Sequence, residues 1–269
     1  MKKIALLCLF ALPLRAGADV TFVEHVQPEV ASTQGQDITF EIKGDKVRID
    51  GPNGKLSAIF DTGTGDTIAL VHKMKVFVKA PAETLKGFVE QIKGANSSGT
   101  AGPGGEAPKI TDAGRLEKVG DYDAEVYVVD TPRAKTTLWV SNKVAGSATI
   151  QAATIKFADL LAKLGVPNLP DISKINGVPV KMEIMSVNNK VIITLLSAKE
   201  DPILDADLQA PPDYSEVTIN DLQNGKFMQM MQQSGMGSSS SATTQPGGAS
   251  SASGSGSSAP AAPQLELRQ

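Results

Sequence analysis

"LSAIFDTGTGDTIALV" (Leu56–Val71) decides how the rest of the chain is read. An apolar, strand-like run ends at Asp61 and a second begins near Thr67. Between them Asp61, Thr62, Gly63 and Gly65 supply the polar, glycine-containing composition of a tight reversal. The stretch therefore predicts strand, turn, strand.

The same period of two continues outward on both sides. In "DITFEIKGDKVRIDG" (Asp37–Gly51), Ile38, Phe40 and Ile42 alternate with polar neighbours, Gly44-Asp45 reverses the chain, and Val47 and Ile49 resume the alternation. Asn53-Gly54 supplies the next turn. "TIALVHKMKVFVKA" reads as two strands joined by a short turn at His72 to Met74. "LEKVGDYDAEVYVVD", "KTTLWVS", "VPVKMEIM" and "KVIITLL" extend the pattern, with Gly120-Asp121 and Asn188-Asn189 as reversals. About nine strands result, all joined closely enough to be antiparallel.

Two segments switch to the helical period. "AETLKGFVEQIK" puts Leu85, Phe88, Val89 and Ile92 on one stripe, with Pro81 before it and Gly94 after it. "SATIQAATIKFADLLAKLG" does the same with Ile150, Ala153, Phe157, Leu160, Leu161 and Leu164, from a Ser147 cap to Gly165. A third, weaker helix is expected from Asn220 through Met231. "VIITLL" is apolar on both faces, as a central strand would be, with a helix on one side and an enclosed apolar space on the other. The expected fold class is α+β: a curved antiparallel β-sheet, a half-open barrel, covered by two or three helices, with a disordered Ser/Gly-rich C-terminal tail.

The ends of the chain bear on compartment. Two lysines, an apolar run from Ile4 to Leu14 and the small residues Ala16-Gly17-Ala18 form the three parts of a secretory signal over 1–18. That run is about eleven residues, well short of the roughly twenty that span a bilayer as a helix. The expectation is an exported protein of a bacterial periplasm or outer cell envelope, or one secreted. The single cysteine, Cys8, lies inside the signal, so a core rather than disulfides must hold the domain. That domain is placed at 19–231, with a flexible loop at about 94–108, and residues 232–269 form a Ser/Gly-rich tail that cannot fold alone. Net charge is −3 with both signs interspersed, which excludes nucleic acid as the expected partner.

Asp-Thr-Gly at Asp61 is similar to the active-site loop of the aspartic proteases, which need two carboxylates sharing one proton. The chain has no second Asp-Thr-Gly, so only a dimer could supply the pair. Asp121, Asp123 and Glu125 fail as a calcium loop, because Val126 and Pro132 stand where glycine and glutamate are required. His25 and His72 are the only histidines, with no mature cysteine and no Gly-x-Ser-x-Gly elbow, and both alternate outward as exposed polar residues. Met228, Met230, Met231 and Met236 could suit copper(I), yet a docked helix end explains them better. No cofactor and no metal site are expected.

"GRLEKVGDYDAEVYVVDTPRAKTTLWVS" (Gly114–Ser141), followed by "GVPVKMEI", "ITLLSAKE" and "PPDYSEV", resembles the bacterial domain of unknown function 4412 family over about Asp19 to Val217. Here Asp121 separates Gly120 from Tyr122, where the family pattern has them adjacent. That family is in turn similar to the periplasmic lipoprotein-localisation carriers (LolA/LolB-like), and "KVRIDG" followed by "KVFVKAP" has their strand order. The carriers' arginine-proline and tryptophan signatures are absent. The resemblance implies a half-open β-barrel lidded by helices, able to hold acyl chains, and transfers no catalytic residue.

Together these readings predict a non-enzymatic envelope protein that binds a lipid acyl chain or other hydrophobic ligand in a concave sheet, lined by Phe40, Ile42, Val47, Ile49, Phe60, Leu70 and Val76. The same residues filling a solid core is the plain alternative. A dimeric aspartic protease using Asp61, and a structural or interaction module that meets another envelope protein through its tail, are the two others.

Overall fold

The computed structural model describes residues 18–29, 34–87, 108–131, 134–166, 169–186 and 189–223. The signal segment, most of the loop at 94–108, the methionine cluster and the tail lie outside them. The described strands are β1 (Val20–Pro28), β2 (Gln36–Lys43), β3 (Lys46–Asp50), β4 (Leu56–Asp61), β5 (Thr67–Val71), β6 (Val76–Ala80), β7 (Lys109–Val119), β8 (Tyr122–Asp130), β9 (Ala134–Ser141), β10 (Val178–Ser186), β11 (Lys190–Lys199) and β12 (Ser215–Glu216). The helices are α1, described over 82–87, α2 (Ser147–Lys163) and α3 (Ile219–Gln223).

All twelve strands join one sheet in the order β12-β6-β5-β4-β3-β2-β1-β11-β10-β9-β8-β7. Every pairing is antiparallel except β12 against β6, which is parallel. The edges β7 and β12 do not pair with each other, so the sheet stays open. β1 and β12 were not anticipated: "VTFVEHVQP" is a strand at the centre of the sheet, pairing β2 on one side and β11 on the other. Edge strand β7 is largely exposed, and its ladder to β8 is interrupted between Asp112 and Leu116.

A single helix shows how far the sheet bends. Phe157 of α2 meets Phe60 of β4 edge to face at 5.3 Å, while Ile155 lines a cleft with Val129 of β8 and Leu138 of β9. In a flat sheet β4 and β8 would lie seven strand spacings apart, roughly 34 Å. Ile155 and Phe157 are separated by only about 3 Å along the helix axis. The sheet therefore curls around α2.

The buried core follows from that wrapping. Val20, Phe22 and Ile42 join Ile150 and Ala153 of α2, with Val126, Trp139, Val180 and Leu195 in the same cluster. Phe22 stacks on Phe40 with ring centroids 4.5 Å apart. The start of α2 is set by Gly146, not by a Ser147 cap: Gly146 has φ +67, and a Cβ there would lie 2.4 Å from Val20 Cγ2. Ser147 Oγ donates instead to Asn142 O at 3.3 Å. The helix ends as its composition predicts, with the Gly165 and Val166 N–H groups returning to Ala162 O and Leu161 O.

Candidate functional site

The Asp-Thr-Gly loop is a turn. Asp61 Oδ1 accepts the N–H groups of Gly63 and Thr64, both at 3.0 Å, and Asp61 O accepts from Gly65 N–H at 2.7 Å. Thr62 donates through both its N–H and its hydroxyl to Asp45 O. The carboxylate thus closes the reversal between β4 and β5, as short acidic side chains do in glycine-rich turns.

The residues expected to line a cavity divide between the two faces. Register puts Phe40, Ile42, Val47, Ile49, Phe60 and Val76 on the face that α2 covers. Leu70 points to the opposite face, where it is fully buried with Ile59, Phe77 and Tyr214. Phe40, Ile42 and Val47 pack into the main core, Phe60 abuts Phe157, and Val76 is buried with Val71, Val78 and Val217. Ile49 is half-buried.

A cleft lies farther along the same face, in the half of the sheet that the periodicity did not single out. Val129, Thr136, Leu138 and Met182 form its floor, the Pro170–Ile175 segment one wall, and Gln151, Thr154 and Ile155 of α2 the other. Its volume is about 310 Å³, at the lower end of the roughly 300–1,000 Å³ typical of ligand pockets. Almost all of its lining is apolar. The helix contributes to this: α2 buries its Ile150, Ala153 and Leu160 stripe in the core, and the flank that reaches the cleft carries Gln151, Thr154 and Ile155, which leave the gap unfilled. A signal for this existed in the sequence. Ile155 lies off the stripe, and "AEVYVV" in β8 buries both Ala124 and Val126 on one face and Tyr127 and Val129 on the other.

On the opposite face a polar chain links strands to the returning 203–214 segment. Arg48 Nε donates to Asp50 Oδ1 at 2.8 Å, and Arg48 Nη1 to Asp207 O at 2.6 Å. Ser57 Oγ also bonds Asp50 Oδ1 and lies 2.6 Å from His72 Nε2, while His72 Nδ1 lies 2.8 Å from the Tyr214 hydroxyl. His72 is therefore half-buried in a network and not an exposed strand residue. Ser57 has one proton and the Asp50 carboxylate none, so Ser57 donates to Asp50 and accepts from His72 Nε2–H. His72 Nδ1 then accepts from Tyr214. A nucleophilic serine needs the reverse, its proton aimed at a bare imidazole nitrogen. The array ties β3, β4 and the Tyr214 segment together. Beside it, Glu41 is half-buried with a sealed Oε2 that lacks a partner among the described residues, and burial raises its pKa against the opposing pull of Arg48.

Asp123 and Glu125 of β8 are likewise engaged within the chain. Asp123 binds Lys143 at 2.8 Å, which holds its carboxyl below the usual range, and Glu125 accepts the Tyr127 hydroxyl at 2.7 Å. Among the described residues no helix is long and apolar enough to cross a membrane.

No family model matches the sequence, and no curated protein matches it. Among solved structures, PNGF-II superposes with a TM-score of 0.39 at 10% identity, covering 81% of this chain. The chain spans about a third of PNGF-II, 33% of its length. The LolA superfamily protein NE2245 from Nitrosomonas europaea gives a TM-score of 0.30 at 8% identity, over 72% of this chain and 90% of its own. LprF from Mycobacterium bovis gives 0.31 at 14%, over 74% and 91%. Likenesses this loose transfer neither residue nor ligand.

Proposed function

We propose that this is a non-enzymatic, exported cell-envelope protein that holds an acyl chain or another hydrophobic ligand in the cleft beside α2. One observation carries the reading: a cleft of about 310 Å³ whose lining is almost wholly apolar, built between a sheet and a helix that are otherwise closely packed. Interiors normally pack without voids of this size, and an apolar gap open to the surface is a place where a greasy group escapes water. The secretory signal at 1–18 supports the compartment. Asp61 and Ser57, the two side chains nearest to known catalytic patterns, are both committed within the fold.

Native mass spectrometry of the protein taken from its own envelope, together with titration of a fluorescent acyl probe, tests this. The expected result is a co-purified lipid and a saturable probe signal. Thr154→Trp, at an exposed position on the cleft wall, should weaken probe binding at least tenfold with an unaltered circular dichroism spectrum. No lipid and no probe binding would remove the reading.

A further inference from the structure

We propose that the ligand is an amphiphile whose head group is a cationic amine, and that Glu24 is its counter-ion; this rests on the hydrophobic-ligand reading above and specifies the ligand class. In "VTFVEHVQP" an acid occupies a position in phase with Val20, Phe22 and Val26. The structure keeps that phase. Glu24 stands opposite Ile38 of β2 and Leu195 of β11, with Phe22 and Val26 two places away on the same strand.

The surroundings offer this carboxyl nothing. Glu24 makes no hydrogen bond or ion pair with any described residue. β2 presents Ile38 and Phe40 to this face, β11 presents Ile193 and Leu195, and β10 beyond it presents Met182 and Ile184. Lys156 of α2 is bound to Asp45 at 2.6 Å. His25 and Asp37 project from the opposite face and bind each other at 2.6 Å. Burial alone pushes the Glu24 carboxyl up to about 7.

Position connects the carboxyl to the cleft. Met182, on the cleft floor, pairs with Ile193, which pairs in turn with Val26, so Glu24 lies on the same face two strands across and two residues along, about 12 Å away. A chain seated in the cleft can run over Met182 and Ile193 and set its head on Glu24. An unpaired, half-buried carboxylate on an apolar floor is costly, and a cation brought by the ligand offsets that cost. A fatty-acid or phosphate head would meet repulsion instead.

Displacement of the acyl probe from the full chain by dodecylamine, dodecanol and dodecanoate decides the matter. At pH 8.5 dodecylamine should bind at least tenfold more tightly than dodecanol, and dodecanoate least. Amine binding requires the ionised carboxyl, so the amine affinity should fall as pH drops below 7, by up to about tenfold per unit. Glu24→Gln should bring the amine-to-alcohol ratio close to one. A ratio unchanged in Glu24→Gln, or dodecanoate as the tightest ligand, overturns this inference while leaving the hydrophobic-ligand reading intact. Failure of all three to bind overturns both.

Discussion

The two flanks of helix α2 meet the sheet in opposite ways. One buries Ile150, Ala153 and Leu160 in the core and sets Phe157 on Phe60, and the contact is close enough that a Cβ on Gly65 would meet Leu160 Cδ1 at 2.9 Å. Toward β8–β10 it turns Gln151, Thr154 and Ile155, and a cleft remains. One helix thus serves as structural filling on one flank and as the wall of a cleft on the other. Close packing and open space fall on different sides of the same seventeen residues.

Paired truncations separate the two sides most sharply. Leu160→Ala removes a buried side chain from the packed flank and should cost about 2–5 kcal/mol in urea unfolding. Ile155→Ala, on the cleft flank, should cost less than about 1 kcal/mol and enlarge the cleft. Equal losses would show that the cleft side is packed as tightly as the other.

A second effect is read by pH. The Glu24 carboxyl is raised in the folded state from 4.5 to about 7, so the folded chain holds its proton more firmly than the unfolded chain does. Its stabilising contribution is complete below pH 4.5 and is lost as pH rises through 7, by at most about 3 kcal/mol. Glu24→Gln should flatten that part of the stability profile. A wild-type profile with no fall between pH 4.5 and 7 would place the carboxyl in water.

The smallest effect is expected at the Asp-Thr-Gly turn. Asp61→Asn keeps an oxygen for the Gly63 and Thr64 amides and should lower stability by only about 0.5–1 kcal/mol, with no change in peptide cleavage at acid pH. Acid-dependent cleavage lost in this variant would revive the protease alternative.

Strand alternation and helical stripes were legible because each depends on local spacing. Gly44-Asp45 and Gly120-Asp121 reverse the chain where expected, and α2 runs from Ser147 to Lys163 with Ile150, Ala153 and Leu160 buried. What was not legible is long-range. Leu70 follows the same alternation as its neighbours, yet its phase puts it on the far face under Tyr214, about 140 residues away in sequence. The His72–Tyr214 and Arg48–Asp207 bonds have the same character, since no periodicity announces which loop returns to which strand. The cleft is hardest to foresee, because a void is set by what α2 lacks on one flank.

The bulged edge strand β7 has a consequence for life at high concentration. Among the described residues its eleven residues have a strand partner on one side only, the kind of surface that invites another chain to add itself as a further strand. The break in its ladder between Asp112 and Leu116 twists that rim, and Lys109, Asp112, Arg115 and Glu117 set charges along it, so an approaching strand finds no flat, greasy template. The rim of a twelve-stranded sheet is thereby made a poorer template for edge-to-edge growth.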